Sequence, residues 1–304
     1  MGNLVLQKVL EPLSTYFDDT TVIEMRMSRP GEIITDVRGK GLVATSDPVL
    51  TQHLIEEICW SLANQAGLNF DPDSNPKLST TLQQGHRFEC LVGPSVRSGL
   101  SLAIRCKHPF DPSWEDIGIS GSLQEYIENI IAVEKNIIIS GATNTGKTTF
   151  LNKLLTLLPN DRRVVSVEDT PELHMEPFWN GTSLLAARDE GSSAGLLSYR
   201  QIYDHLVRIT PDHIIFGEIS TGNAFAALGA LNSGVTGFVC TIHAESPKQA
   251  INRKFEQNIA WSGQDMPRVS EFMAEMVGAV IQIKRDHQGW RRITDIWEPD
   301  RDRM

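Results

Sequence analysis

Eight residues constrain this chain more than any others. Gly141-Ala-Thr-Asn-Thr-Gly146-Lys147-Thr148 fits the spacing G-x-x-x-x-G-K-[ST], follows the apolar run IIIS at 137–140 and leads into a helix-forming stretch at Gly146. Glycines at both ends of such a loop let backbone N–H groups wrap a chain of phosphates, and the helix N-terminus adds partial positive charge. The pattern predicts a phosphate cradle built from Gly141, Ala142, Thr143, Asn144, Thr145, Gly146, Lys147, Thr148 and Thr149. Lys147 is expected to reach the β- and γ-phosphates and Thr148 to ligate Mg²⁺. The ligands expected are therefore ATP and Mg²⁺. A Gly-rich turn of purely structural use would need neither the strand before it nor the helix after it.

A strand followed by a helix implies a parallel sheet, and the rest of the chain keeps that rhythm. VVSV at 164–167, a helix near 197–208, HIIFG at 213–217, a helix over 222–232 and FVCTI at 238–242 alternate as βαβ units do. Helices around 246–258 and 268–279 and strands near 279–285 and 290–297 close the region. The first hundred residues read differently. Leu6, Val9, Leu10, Leu13 and Phe17 stand at helical spacing, with a kink or restart expected at Pro12. VIEMRMS, Pro30-Gly31 and EIITDVRG read as a hairpin, followed by a helix over 49–65 and strands around 86–92 and 100–106. PFDPSWEDIGIS has two prolines, three acids and no period, which marks a linker. The expected organisation is an α+β domain over 1–108, a linker over 109–120 and an α/β domain over 121–304. A length of 304 residues suits two domains.

A phosphate loop needs an acidic partner near the metal and the attacking water, carried on a neighbouring strand. Glu218 ends the apolar run HIIFG, so the strand should deliver its carboxylate to the edge where nucleotides sit in such sheets. Glu168, in Glu168-Asp169-Thr-Pro-Glu172 after VVSV, is the second candidate, although Asp-Thr-Pro is also ordinary turn chemistry. Either glutamate could reach the metal through water. His243 follows FVCTI and should arrive at the same edge, where it could sense phosphate or bond Glu218. Arg200 and Arg208 lie on the helix before Glu218 and are candidates for stabilising charge on the transferring phosphoryl group.

The formal net charge of -10 argues against a broad nucleic-acid surface, which needs a basic stripe. Four cysteines stand apart without a CxxC pair, as expected for a chain of the reducing cytoplasm. No run of about 18 apolar residues suggests a membrane span, so any membrane contact is expected to be peripheral.

Taken in order, these motifs resemble those of the secretion-superfamily traffic ATPases, most closely the ATPase of type IV secretion and conjugation systems. GATNTGKTT resembles that family's Walker A, VVSVEDTPEL its Asp box, RITPDHIIFGEI its Walker B and TGFVCTIHAES its His box. VIEMRMSRPGEI, GHRFECLVGPSV and LSLAIRCKH are similar to strands of its amino-terminal domain. Val235-Thr236 departs from the His-Pro pair that relatives commonly carry before the His box. The resemblance implies a RecA-like P-loop NTPase domain preceded by a smaller α+β domain that covers the nucleotide. It also implies Arg87 and Arg105, with Arg97, as phosphate-reaching groups. A hexameric ring at the cytoplasmic face of the inner membrane, in contact with other subunits of the apparatus, follows from the same likeness. A pilus-retraction motor of the same superfamily and a nucleotide-gated docking switch are the competing expectations, with a small-molecule kinase behind them.

Overall fold

In the computed structural model, residues 2–82, 84–108, 112–187, 196–286 and 289–300 are described, with side chains from residue 6 onward. The chain forms two compact units, Met1–Phe110 with His287–Trp290, and Asp111–Asp286 with Arg291–Met304.

The first unit opens with α1 (Gly2–Leu10). A short 3-10 turn at Glu11–Leu13 carries Pro12, and the helix restarts as α2 (Ser14–Asp18), because proline has no N–H to continue an α-helical ladder. Strands β1 (Val22–Arg29) and β2 (Glu32–Val37) form the hairpin expected at Pro30-Gly31. β3 (Gly41–Ser46) extends it. Helix α3 (Gln52–Ala66) begins where the Thr51 hydroxyl accepts a bond from the Leu54 amide at 3.2 Å, a side-chain N-cap. Ile55, Ile58, Cys59 and Leu62 form its buried stripe at helical spacing. After β4 (Lys77–Thr81), β5 (Arg87–Val92) and β6 (Leu100–Arg105), the antiparallel sheet has the order β3-β2-β1-β6-β5-β4. In β6, Leu100, Leu102 and Ile104 point inward and alternate with residues turned outward, the period of two that a one-sided sheet requires.

The second unit takes up most of the stretch read as a linker. Ile119 is buried in its core with Trp114 and Ile117 beside it, while residues 109–111 lie outside the described part. α4 (Gly121–Ala132) follows and buries Ile127, Ile130 and Ile131. The remaining elements are β7 (Ile137–Ser140), α5 (Lys147–Leu155), β8 (Val164–Glu168), β9 (Thr182–Leu185), α6 (Tyr199–Leu206), β10 (His213–Ile219), α7 (Ala224–Leu231) and β11 (Val239–Ile242). Then α8 (Pro247–Gln249) passes through a π turn at Ala250–Phe255 into α9 (Glu256–Trp261), and α10 (Val269–Met276), β12 (Ala279–Arg285) and β13 (Arg291–Trp297) complete the unit. The sheet order is β13-β12-β7-β11-β10-β8-β9, and every neighbouring pair is parallel except β12 with β13. β7, β8 and β11 are buried along their whole length, as strands covered by helices on both faces must be. Among the described residues no helix is long and apolar enough to cross a membrane.

Candidate functional site

β7 delivers the loop. Gly141 donates its N–H to the Ile242 carbonyl at 3.3 Å, which continues the β7–β11 ladder into the first loop residue. A side chain at Gly141 would place its Cβ 2.5 Å from the Ile283 carbonyl oxygen, so the loop can leave the sheet here only as glycine. The loop then closes on itself, with the Thr145 hydroxyl donating to the Ala142 carbonyl at 2.9 Å. Asn144 (φ 57°) and Gly146 (φ 86°) take left-handed conformations, which asparagine tolerates and glycine adopts without cost. Gly146 is the N-cap of α5, and having no side chain it leaves the first-turn amides to be satisfied from outside, the condition under which helix N-termini bind anions.

Lys147 is buried at the start of α5. Its Nζ donates to the Ala142 carbonyl at 2.9 Å and lies 3.1 Å from His243 Nδ1. His243 follows β11, and its Nε2 stands 2.6 Å from Glu218 Oε1. The same Nδ1 lies 3.3 Å from the Gly141 carbonyl; in the tautomer that accepts from Lys147 at Nδ1, the imidazole proton is on Nε2 and points at the Glu218 carboxylate. Parallel pairing in register puts these groups side by side: Ser140 pairs with Ile242, and Ile242 with Ile219. Asn223, itself buried, braces Glu218 by donating to its backbone carbonyl at 2.8 Å and accepting from the Ser220 amide at 2.8 Å. Thr241 ties β11 to β10 by donating to the Gly217 carbonyl at 2.7 Å.

Glu168 reaches the same edge from β8, and Gly217 makes room for it: a Cβ there would lie 3.0 Å from Glu168 Cγ. Its Oε1 accepts the amides of Glu172 at 2.9 Å and Leu173 at 3.1 Å. This carboxylate therefore organises the turn that follows β8, a structural task beside the water-activating one expected of it. Glu168→Ala should lower the unfolding free energy by about 3 kcal/mol, since two amides lose a charged acceptor, whereas Glu168→Gln keeps an acceptor and should lose about 1 kcal/mol. Urea unfolding of both variants measures this; equal stability of the two would remove the turn-organising role.

The arginines separate. α6 begins beside the strand ends, because Leu197 pairs with Ala186, whose amide donates to the Glu168 carbonyl at 2.8 Å. Arg200, in the first turn, is thus at the right edge and exposed. Arg208 is not. It lies past the other end of α6 next to Ile209, whose carbonyl accepts from Arg163 at the start of β8, and an eight-residue helix spans about 12 Å. That places Arg208 at the edge where strands begin, opposite the loop. In the first unit Arg87 and Arg105 face each other across β5 and β6, at the open end of their hairpin. Arg97 sits in the connecting loop at the far end and cannot join them at one phosphate.

Two contacts had no signal in the loop motif. Arg291, at the start of β13, donates from Nη2 to Asn144 Oδ1 at 3.1 Å, and its stem lies where a Gly146 side chain would be. Gln282, on β12, accepts from the Ser140 hydroxyl. Thr148 is half-buried in the first turn of α5. Its hydroxyl and the carboxylates of Glu168 and Glu218 are hard oxygen donors of the kind Mg²⁺ prefers, so the residues present fit that ion.

A glycine-bounded loop feeding a helix at one end of a parallel sheet, with a lysine, a histidine and two glutamates from four strand ends, defines a P-loop nucleotide-binding protein. Residues 73–260 match the family of type II/IV secretion system proteins, and the chain belongs to that family. It is 28% identical to the type IV secretion system protein VirB11 of Bartonella henselae, covering 97% of this chain and 92% of that one. It is 31% identical to a probable conjugal transfer protein TrbB of Sinorhizobium fredii, over 97% of this chain and 89% of that protein. The fold is similar to that of the Legionella pneumophila ATPase DotB, with a TM-score of 0.64 and 16% identity over 98% of this chain and 82% of that structure.

Proposed function

We propose that this chain is a Mg²⁺-dependent ATP hydrolase that powers a type IV secretion or conjugation apparatus from its cytoplasmic face, working as a ring of six copies. The observation that carries the hydrolase reading is the unbroken contact from Lys147 through His243 to Glu218, at 3.1 and 2.6 Å. It joins the phosphate-binding cation to the acid best placed to orient water. In this reading the loop amides and Lys147 hold the β- and γ-phosphates, and Thr148 holds Mg²⁺, which offsets phosphate charge when bound. Glu218 orients the water, Glu168 supports the same edge, and His243 registers the γ-phosphate through its position between Lys147 and Glu218. Release of inorganic phosphate from ATP, dependent on Mg²⁺ and lost with EDTA, tests the activity.

The apparatus is proposed from membership of the secretion family and from likeness to proteins named for type IV secretion and for conjugal transfer. Native mass measurement with and without ATP tests the ring. Six chain masses are expected with nucleotide, and a monomer under both conditions would leave a switch or a kinase as the better reading.

A further inference from the structure

β12 contains one residue out of keeping with its surroundings. In Ala279–Arg285 the first five positions are all buried, and four of them are apolar; the exception is Gln282, the fourth, 1% exposed. An amide buried without partners is strongly disfavoured, so its bonds show what holds it there. Oε1 accepts from the Ser140 hydroxyl, and Nε2 donates to the Ala244 carbonyl at 3.2 Å. Ser140 is the residue before the phosphate loop, and Ala244 is the residue after His243.

The backbone of His243 is thus pinned on both sides. Ile242, before it, is locked by register to Ser140 on β7 and to Ile219 on β10. Ala244, after it, is held by Gln282, from a strand beyond β7. The same glutamine is paired in register with Ser140, so the root of the phosphate loop and the far side of His243 share one brace. We infer that Gln282 is a positioning residue that holds His243 in line between Lys147 and Glu218. It does not touch the nucleotide, and it acts on turnover through His243. This rests on the hydrolase reading above.

The test uses the full chain. Gln282→Leu should lower turnover about 10- to 100-fold, the cost of misplacing a catalytic group, while the KM for ATP moves less than about threefold. In a His243→Ala background, Gln282→Leu should cost nothing further, because the residue through which it acts is gone. Gln282→Glu gives a second handle: ionised, it accepts from Ser140 but cannot donate to Ala244, and protonated it can do both. Its turnover relative to the unaltered chain should therefore rise as pH falls. Additive losses in the double variant, a KM rising in step with the fall in turnover, or a flat relative pH profile would each overturn the role. If the unaltered chain shows no turnover dependent on Lys147, the hydrolase reading fails by itself. The brace is then read from the His243 ring signals by ¹⁵N NMR, which Gln282→Leu should shift and which would stay in place if Gln282 does not hold His243.

Discussion

Lys147→Ala will reduce phosphate release by at least about 10²–10³-fold, the loss seen when one preorganised donor to a transition-state oxygen is removed. The side chain is buried, and its ammonium donates to the Ala142 carbonyl and lies 3.1 Å from the His243 imidazole, so an alanine there removes a cation held at a fixed point of the loop. Two effects combine. In the proposed site the β- and γ-phosphates lose a point charge at short range, and His243 loses its Lys147 neighbour at Nδ1. The fold should survive, because Phe150, Leu151, Leu154 and Leu155 keep α5 packed on the sheet. Phosphate release, nucleotide affinity and unfolding midpoint measured together settle it; turnover within twofold of the unaltered chain would sink the loop assignment.

Glu218→Gln should separate binding from turnover. The amide oxygen can still accept from His243 Nε2, and the backbone carbonyl keeps its bond from Asn223, so the geometry of the edge is retained. What is lost is the charge that, in the proposed mechanism, takes up a proton from water, and general-base contributions run to about 10²–10⁴-fold. ATP affinity within about threefold of the unaltered chain is expected beside that loss. If affinity fell as far as turnover, Glu218 would be a structural acid and Glu168 the better candidate for the base, a role its second oxygen would have to fill.

The sequence carried the loop, Glu218 and His243 because each signal is local: an apolar run, then the functional residue at its end. The strands with the weakest sequence signal, β3, β4 and β9, are all at the margins of their sheets. Their burial is sparse, with only Gly41 buried in β3 and only Leu78 in β4, so neither alternation nor an apolar run announces them. α4 is a different case. Leu123, Ile127, Ile130 and Ile131 stand at helical spacing, so this helix is legible in the sequence. Gln282, Asn223, Thr241 and Arg291 became visible only in three dimensions. Ser140 and Gln282 are 142 positions apart, and no window along the chain contains both. Arg208 misled for a related reason: helical periodicity tells which face a residue is on and says nothing about which end of the sheet that helix end will meet.

The groups at the nucleotide edge sit on β7, β8, β10 and β11, gathered from positions as distant as Gly141 and His243. Release of any one of these strands would carry a group away from the site. Bound nucleotide is then a clamp on the cooperative unit: it favours the intact sheet by RT ln(1 + [L]/Kd), about 2.7 kcal/mol at a hundredfold excess over Kd. In the proposed hydrolase, each turnover that empties the site would loosen the clamp on four strands at once, so the effect of the cycle would reach the sheet and not only the loop.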